Sequence, residues 1–459
     1  MSSRASRRRF AFIVRASLTV MLACLATVRV LPQETPKQLE ENRKIGLKML
    51  KVIKTEIKKD YYDPSFHGMD LEARFRTAEE KIKEATQTGQ VLGIIAQAVM
   101  DLNDSHTNFI PPIRGNVVVY GWRMQMIGDE CYVTSVMPGS DAEAKGLRAG
   151  DRVLGIDNYE PTRENIWKMQ YYYYVLRPRT RMMVSLRAPD GRERELEVLS
   201  KVRKRQFMHF FGYYYFEPSR PTVDDAPDEP LYHEFGEDLI VCKLPDFDLV
   251  EERVDKLMQK IAGHKALVLD LRRNPGGRAD ALERFIGYFF DHEIKVADLK
   301  RRGGTKEVKV KPRKKNAFAG RLFVLVDSDT GSAAEAFARV VQLEKRGTVI
   351  GDRTAGKVMQ SMSHDFEMGD NKMTFYGLSL TDADVIMSDG KSLENVGVMP
   401  DERLLPTASD LRQRRDPVLA HAAALAGVKL DADKAGDLFL LQESMPAVDA
   451  DQLMKPTKP

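Results

Sequence analysis

Two nearly continuous apolar runs in the second half of the chain constrain its fold more than any other feature. Ala266 to Leu271 (ALVLDL) and Leu322 to Val326 (LFVLV) lack polar alternation, as expected for strands that are covered on both faces. Helical patterns follow them, at Ala279 to Phe290 and Ser332 to Leu343. Strands that alternate with helices predict an α/β core with a mostly parallel sheet, which we place at residues 205–415.

Composition excludes several classes of function. The 459 residues suffice for about three domains, and 71 basic against 67 acidic residues leave too small an excess to indicate nucleic acid. The eight histidines are scattered and no HExxH or CxxC pair occurs, so the sequence predicts no metal site and no cofactor. Cys24, Cys131 and Cys242 fall in different predicted parts of the chain, so we expect no structural disulfide.

Residues 1–33 predict an export leader rather than part of the fold. An arginine-rich start at residues 4–9 precedes an apolar stretch, Ala16 to Ala26, which is too short to span a bilayer stably. The leader predicts a periplasmic or cell-envelope protein of a bacterium. The alternative is an uncleaved anchor, which would associate the chain with the inner membrane.

Residues 34–112 and 113–204 differ in pattern. The first segment has apolar residues at helical spacing, for example over Leu71 to Ala85 and Val91 to Leu102, and predicts an N-terminal helical domain. The second segment is rich in short strands and turns, including a hairpin across Asp190-Gly191.

Within the strand-rich segment, Pro138 to Asp157 (PGSDAEAKGLRAGDRVLGID) resembles the signature stretch of PDZ domains. Such domains bind the extended C-terminus of a partner by adding it to a sheet edge. Gly121 and Trp122 stand where the family's carboxylate-binding loop would lie, so the resemblance implies that they bind peptide. The alternative is a PDZ fold that serves only as a spacer or lid.

Ser332 is the candidate nucleophile. It follows Gly331 at a predicted strand-to-helix junction, where a hydroxyl lies at the positive end of a helix dipole. The backbone N–H of Ala333 could stabilise an oxyanion there. The loop after the first buried strand contains Gly276-Gly277, which lets backbone approach a substrate and supplies a second candidate donor. The alternatives are an ordinary helix-capping serine and an ordinary tight turn.

Four stretches, in this order along the chain, resemble the tail-specific (C-terminal processing) serine peptidase family. They are DLRRNPGG from Asp270, GSAAE from Gly331, GDRTAGK from Gly351 and LENVGVMPD from Leu393. The resemblance implies a multidomain α+β protein: a helical segment, a PDZ-like β module, a crotonase-like α/β peptidase core, and a C-terminal helix and tail at 416–459. It also implies hydrolysis of unfolded or C-terminally recognised proteins through an acyl-enzyme on Ser332, and leaves homo-oligomer formation open.

The general base is open between a lysine and a histidine. In the bacterial and plastid branch of the family the base is a lysine, and Lys357 stands in the matching Ala-Gly-Lys stretch. A lysine serves as base only if burial lowers its pKa enough to leave it neutral. Val358 and Gln360 depart from that branch's pattern.

The tricorn-like branch suggests the other base. It has a Ser-His pair ahead of the PDZ domain and a glutamate before the Gly-Val-x-Pro-Asp motif, and Ser105-His106 and Glu394 match these positions. We favour His106, because it comes with a set of orienting partners and titrates near neutral pH. Lys357 would then bind or stabilise substrate. The alternatives are a capping histidine and a surface carboxylate.

Two other classes of function remain open at the level of sequence. One is a binding protein on the same fold that takes peptides or lipophilic ligands without cleaving them. The other is a scaffold whose PDZ domain recruits partners while its core is silent. Ser332 with two candidate bases favours the serine endopeptidase.

Overall fold

The computed structural model describes residues 34–112, 116–204, 229–369 and 374–439. The predicted leader at 1–33 and the last 20 residues of the predicted tail lie outside this part. Among the helices of the described part, none combines the length and apolar character needed to cross a bilayer.

Three helices open the described chain and pack around one apolar cluster. They are α1 (Pro36–Asp60), α2 (Leu71–Glu84) and α3 (Thr88–Met100). Thr35 and Asp70 cap the first two helices, because each side chain accepts a hydrogen bond from a backbone N–H in the first turn. The cluster buries Ile53 and Phe75 completely or almost completely and continues into residues of the α/β core such as Leu378. The helices therefore dock on the core.

The strand-rich segment, residues 116–204, forms an antiparallel unit that we call the strand module. Its elements are β2 (Asn116–Val119), β3 (Trp122–Ile127), β4 (Glu130–Val136), α4 (Asp141–Ala144), β5 (Arg152–Ile156), α5 (Ile166–Gln170), β6 (Arg181–Arg187), β7 (Glu193–Leu199) and β8 (Lys201–Lys204); β1 (Asn108–Ile110) precedes them. Five strands pair in the order β3-β4-β5-β6-β7, and β2 pairs with β8. The hairpin predicted across Asp190-Gly191 is confirmed, since Arg187 pairs with Glu193.

The α/β core contains the predicted parallel sheet. Its elements are β9 (Leu231–Phe235), β10 (Leu239–Lys243), α6 (Glu251–Ile261), β11 (Ala266–Asp270), α7 (Ala279–Ile286), β12 (Ile294–Arg301), β13 (Gly304–Val310), β14 (Arg321–Val326), α8 (Ala333–Leu343), β15 (Thr348–Gly351), β16 (Met359–Met368), β17 (Thr374–Met387), β18 (Glu402–Arg403), α9 (Ala408–Gln413), α10 (Pro417–Leu425) and α11 (Ala432–Asp437). Six strands pair in the order β18-β15-β14-β11-β10-β9, and every pair except β9–β10 is parallel. The expected multidomain α+β architecture is confirmed.

Helix α7 ends at Ile286, four residues earlier than the sequence pattern predicts. The carbonyl groups of Gly287 and Tyr288 accept hydrogen bonds from the backbone N–H groups of Arg313 and Phe318 instead of continuing the helix. Gly287 also approaches the backbone after β13 closely, since a Cβ there would lie 2.8 Å from a carbonyl oxygen. Pairing with a distant segment ends the helix.

A second, antiparallel sheet lies beside the parallel one. Its strands run in the order β1-β17-β12-β13, and β16 pairs with β17. Strand β1 joins it from the N-terminal part of the chain, with Phe109 opposite Leu378. This pairing carries the residues just before β1, including His106, to the core.

Candidate active site

Ser332 lies at a sharp turn between β14 and α8. Its backbone has φ 50° and ψ −118°, a conformation that L-residues seldom adopt and that costs about 1–3 kcal/mol. The backbone N–H of Ser332 donates to the carbonyl of Lys357 (2.9 Å) and to Oε2 of Glu335 (3.1 Å). These two acceptors hold the turn that presents the hydroxyl.

The structure brings four of the predicted site residues into one hydrogen-bonded row. His106 Nε2 lies 3.3 Å from Ser332 Oγ, and His106 Nδ1 lies 2.7 Å from Ser105 Oγ. The hydroxyl of Ser105 donates to Glu394 Oε2 at 2.9 Å, and its backbone N–H donates to Oε1 at 2.8 Å. Residues that are distant in sequence thus form a nucleophile, an imidazole, a bridging hydroxyl and a carboxylate.

Asp104 fixes the loop that carries His106. Its Oδ1 accepts from the backbone N–H groups of His106 (3.0 Å) and Thr107 (2.7 Å) and from the hydroxyl of Thr381 on β17 (2.6 Å). Its Oδ2 accepts from the hydroxyl of Tyr61, directly after α1, at 2.8 Å. The carboxylate is buried, and it ties the loop to both the helices and the second sheet.

Burial shifts the pKa of both titratable groups in the row. Burial lowers the pKa of His106 to about 4, against the opposing effect of Asp104 and together with the charge of Lys357. Burial raises the pKa of Glu394 to about 7, although hydrogen bonds from Ser105 and from the backbone of Val358 oppose the shift. At neutral pH the imidazole is therefore uncharged, and its Nε2 can accept a proton.

The amides predicted for an oxyanion site are not equivalent. The N–H of Gly276 already donates to the side-chain oxygen of Asn274 at 2.9 Å, so this part of the expectation is corrected. Gly276 instead allows close approach, since a Cβ on it would lie 2.5 Å from Ser332 Cβ and 2.9 Å from the nitrogen of Ala333. The N–H groups of Gly277 and Ala333 remain the candidates.

Lys357 serves the site through its backbone. Its carbonyl accepts from Ser332 N and its N–H donates to Glu335 Oε2 at 2.8 Å. Its ammonium lies over the ring of Trp167, 5.4 Å from the ring centre, at the strand module. The hydrogen bond of the Ser332 hydroxyl runs to His106.

The predicted peptide-binding pair occupies the edge of the module's sheet. Trp122 belongs to β3, the edge strand, but its side chain is only 5% exposed and packs in the module's apolar core. Gly121 has φ +76° and stands against Ser140, where a Cβ would lie 2.5 Å from the serine Cβ. A peptide role for this pair can therefore run only through the backbone.

Glu335 is a site residue that the sequence pattern does not single out. This fully buried carboxylate accepts from Ser332 N, from the hydroxyl of Thr354, and from the N–H groups of Gly356 and Lys357. Its signal in the sequence is a glutamate three residues after the serine, the spacing of a capping box.

Ser332 and His106 line a cleft of about 1590 Å³. One side comes from the strand module, for example Trp167, and the other from the core, for example Val296 on β12. A cleft of this size has room for an extended segment of polypeptide.

Two family models match this chain, one in the α/β core and one in the strand module. Residues 238–404 match the model of peptidase family S41, and residues 115–170 match the model of the PDZ domain. The chain therefore contains a segment similar to S41 peptidases, preceded by a segment similar to PDZ domains. The S41 match spans both core residues of the row, Ser332 and Glu394, and the resemblance predicted from the sequence is thereby confirmed.

Two curated relatives of this chain are a tail-specific protease of Haemophilus influenzae and a probable CtpA-like serine protease of Staphylococcus haemolyticus. The first is 25% identical over 316 residues, which cover 64% of this chain and 43% of the relative. The second is 23% identical over 303 residues, which cover 66% of this chain and 55% of the relative. The chain spans about half the length of these relatives.

The fold of the chain is also similar to that of mature CPAF, solved in complex with lactacystin. The TM-score is 0.60 at 16% sequence identity, over 88% of this chain and 99% of that one. This similarity extends the confirmed architecture over most of the described chain.

Proposed function

We propose that the chain is a serine endopeptidase that hydrolyses peptide bonds of unfolded or C-terminally recognised proteins through an acyl-enzyme on Ser332. One observation carries the proposal: the row Ser332–His106–Ser105–Glu394 at the edge of a cleft large enough for a peptide. A nucleophile, a base and an orienting partner set within hydrogen-bonding reach form the arrangement that acyl transfer requires. The S41 match of residues 238–404 supports it.

The proposed first half-reaction begins at His106. Its neutral Nε2 takes the proton of the Ser332 hydroxyl while Oγ attacks the carbonyl carbon of the substrate. The negative charge of the tetrahedral intermediate faces the N–H groups of Gly277 and Ala333. The imidazolium then gives its proton to the leaving amine, and an ester on Ser332 remains.

The second half-reaction reverses these roles with water. His106 takes a proton from a water molecule, which attacks the ester carbonyl and releases the acid product, and the proton returns to Ser332 Oγ. In both halves the Nδ1–H of the imidazole donates to Ser105 Oγ, whose own hydroxyl donates to Glu394. This relay fixes the tautomer and stabilises the imidazolium when it forms.

Lys357 has a different proposed role. Because its backbone supports Ser332 and its ammonium lies over Trp167, we assign the general base to His106 and substrate contact to Lys357. Capture of a substrate C-terminus along β3, export to the cell envelope and assembly into homo-oligomers complete the proposal. The arginine-rich start and the apolar stretch at 16–26 support export.

The test is intact-mass measurement after treatment with a fluorophosphonate, on the chain lacking its leader. Wild type should gain one adduct, Ser332→Ala none, and His106→Ala should react more slowly by roughly 10²–10⁴-fold. Lys357→Ala should react at close to the wild-type rate. If Lys357→Ala lost labelling and His106→Ala retained it, Lys357 would be the general base and His106 would not.

An unlabelled wild type would favour the alternative class. A folded chain that takes no adduct over a broad pH range, yet binds peptides or lipophilic ligands, is a binding protein on this fold.

A further inference from the structure

The cleft that contains Ser332 concentrates the positive charge of the molecule. Its lining includes eleven lysines and arginines against six aspartates and glutamates, an excess of five. The whole chain of 459 residues has an excess of only four. By formal charge the rest of the chain is therefore close to neutral, so the small basic excess of the chain lies among the residues that line the cleft.

Several of these cations are already neutralised within the protein. Arg272 pairs with Asp270 and Asp416. Arg163 pairs with Asp352 at 2.5 Å, and Arg301 pairs with Asp382. Such cations hold structure together and offer little charge to a ligand.

Two arginines differ from this group. Within residues 34–112, 116–204, 229–369 and 374–439, the guanidinium groups of Arg273 and Arg353 make no ion pair and no hydrogen bond. Arg273 is exposed and Arg353 is half-buried. Both line the cleft, so their charge is available to whatever enters it.

The two arginines lie at the seam between the strand module and the core. Arg273 is on the loop of Gly276 and Gly277, and its backbone N–H donates to Asp327, which also accepts from Gln125 of β3 at 2.6 Å. The carbonyl of Arg353 accepts from the module's Arg163 at 2.9 Å. The loops that carry both arginines also support the turn at Ser332, and all three residues line the same cleft.

Three acidic residues at the seam lie near Arg273 and Arg353 and offset part of their positive charge. Asp327 holds backbone N–H groups and Gln125. Burial and the neighbouring Asp327 raise the pKa of Asp329 to about 7, so that near neutral pH it carries only part of a charge. Glu164 lies at the rim of the cleft and interacts electrostatically with Arg353. Within the part of the chain that the structure describes, none of these carboxylates forms an ion pair with Arg273 or Arg353.

The second sheet contributes both apolar and polar residues to the cleft. Val296 of β12 and Val308 of β13 line it together with Lys306, Ser361 and Asp365. An extended polypeptide in the cleft would direct alternate side chains to opposite walls.

Resting on the proposed peptidase function, we propose that Arg273 and Arg353 bind carboxylate groups of the substrate, and that the enzyme selects acidic peptides over basic ones. A guanidinium matches a carboxylate through two parallel hydrogen bonds, and it is the side chain best suited to such recognition. A lysine or arginine of a substrate would meet like charge in a partly desolvated cleft. The carboxylate belongs either to an aspartate or glutamate side chain or to the C-terminus of the peptide.

The experiment uses quenched fluorescent peptides that share one apolar centre and carry glutamate, glutamine or lysine on either flank. Each peptide is made with a free and with an amidated C-terminus. We expect kcat/KM for the glutamate peptide to exceed that for the lysine peptide by at least about tenfold at low salt, and the ratio to shrink at high salt. Preference for glutamate in amidated peptides identifies side-chain recognition, and preference for the free acid in glutamine peptides identifies the C-terminus.

Arg273→Gln and Arg353→Gln should each reduce this ratio. The matched control is Arg192→Gln, which removes one charge from the exposed surface of the strand module and leaves the cleft intact. Fluorescence anisotropy of the same peptides with Ser332→Ala measures binding, and so shows the charge preference in the absence of cleavage.

The outcomes separate this inference from the proposed function. Equal rates and equal binding for glutamate, glutamine and lysine peptides would overturn the charge preference and leave the peptidase standing. If Ser332→Ala binds the peptides according to their charge but wild type cleaves none of them, the charge preference stands and the proposed peptidase function is refuted. A ratio lowered as much by Arg192→Gln as by the cleft variants would refute the assignment to Arg273 and Arg353.

Discussion

The buried carboxylate of Glu335 should be indispensable to the turn that presents Ser332. Its Oε1 accepts from the hydroxyl of Thr354 (2.5 Å) and the N–H of Gly356 (2.7 Å). Its Oε2 accepts from the N–H groups of Ser332 (3.1 Å) and Lys357 (2.8 Å). Four donors converge on one side chain that can only accept, so the change to test is Glu335→Gln.

The magnitude follows from counting donors. A glutamine keeps one oxygen and places an NH₂ group where the other was, so two donors of the protein face another donor. At least one of them, the N–H of Gly356 or of Lys357, is left without its acceptor, whereas the N–H of Ser332 keeps the carbonyl of Lys357. Each buried polar group left unsatisfied costs about 1–3 kcal/mol, so the free energy of unfolding should fall by at least this amount, against the roughly 5–15 kcal/mol typical of a domain. The strained backbone of Ser332 adds a reason for the turn to relax once one of its two acceptors is gone.

Two measurements check this prediction: urea unfolding, and the rate of fluorophosphonate labelling under conditions where the variant is folded. Both the urea midpoint and the labelling rate should fall in Glu335→Gln. The control is Glu344→Gln at the end of the same helix, where the side chain is partly exposed and should matter by less than about 0.5 kcal/mol. Unfolding at the wild-type urea concentration together with labelling at the wild-type rate would refute the reasoning.

Three further predictions concern the row and its oxyanion site. Because the pKa of His106 is lowered to about 4, labelling should persist below pH 6 and decline only toward pH 4; a midpoint near 6.5 would contradict the burial of the imidazole. The pKa of Glu394 is raised from 4.5 to about 7, so its contribution to stability is complete below pH 4.5 and is lost as pH rises through 7; Glu394→Gln should flatten the fall of the unfolding free energy over that range and slow labelling. Gly277→Ala should abolish labelling and lower the urea midpoint, because φ is +140° there and a Cβ would lie 2.5 Å from a backbone carbon; wild-type behaviour would show that the loop can move aside.

The elements that the sequence predicts well are those with a local signature. The parallel strands are continuous apolar runs, and β11 and β14 fall within one residue of their predicted bounds. Ser332 can be singled out because a strand, a tight turn and a helix follow one another in sequence. Such features depend on neighbouring residues and need no knowledge of the rest of the fold.

The features that the sequence does not predict depend on distant partners. The antiparallel sheet joins Phe109 to Leu378, and nothing near either residue indicates the other. The bond from the Gly276 amide to Asn274 depends on one loop conformation, so a motif alone could not show that this donor is engaged. The resemblance places His106 near the serine, but the distance of 3.3 Å follows from how two sheets and three helices pack.

The origin of the two halves of the row bears on how the site is assembled. Ser332 belongs to the core, whereas His106 lies between α3 and β1, on a loop held by Asp104. Asp104 in turn takes hydrogen bonds from Tyr61 at the end of α1 and from Thr381 of β17. If the helices undocked, Asp104 would lose the bond from Tyr61, and only β17 would still hold the loop of His106, while the turn at the serine, supported from within the core, would persist. The N-terminal helices are therefore part of the machinery that positions the base.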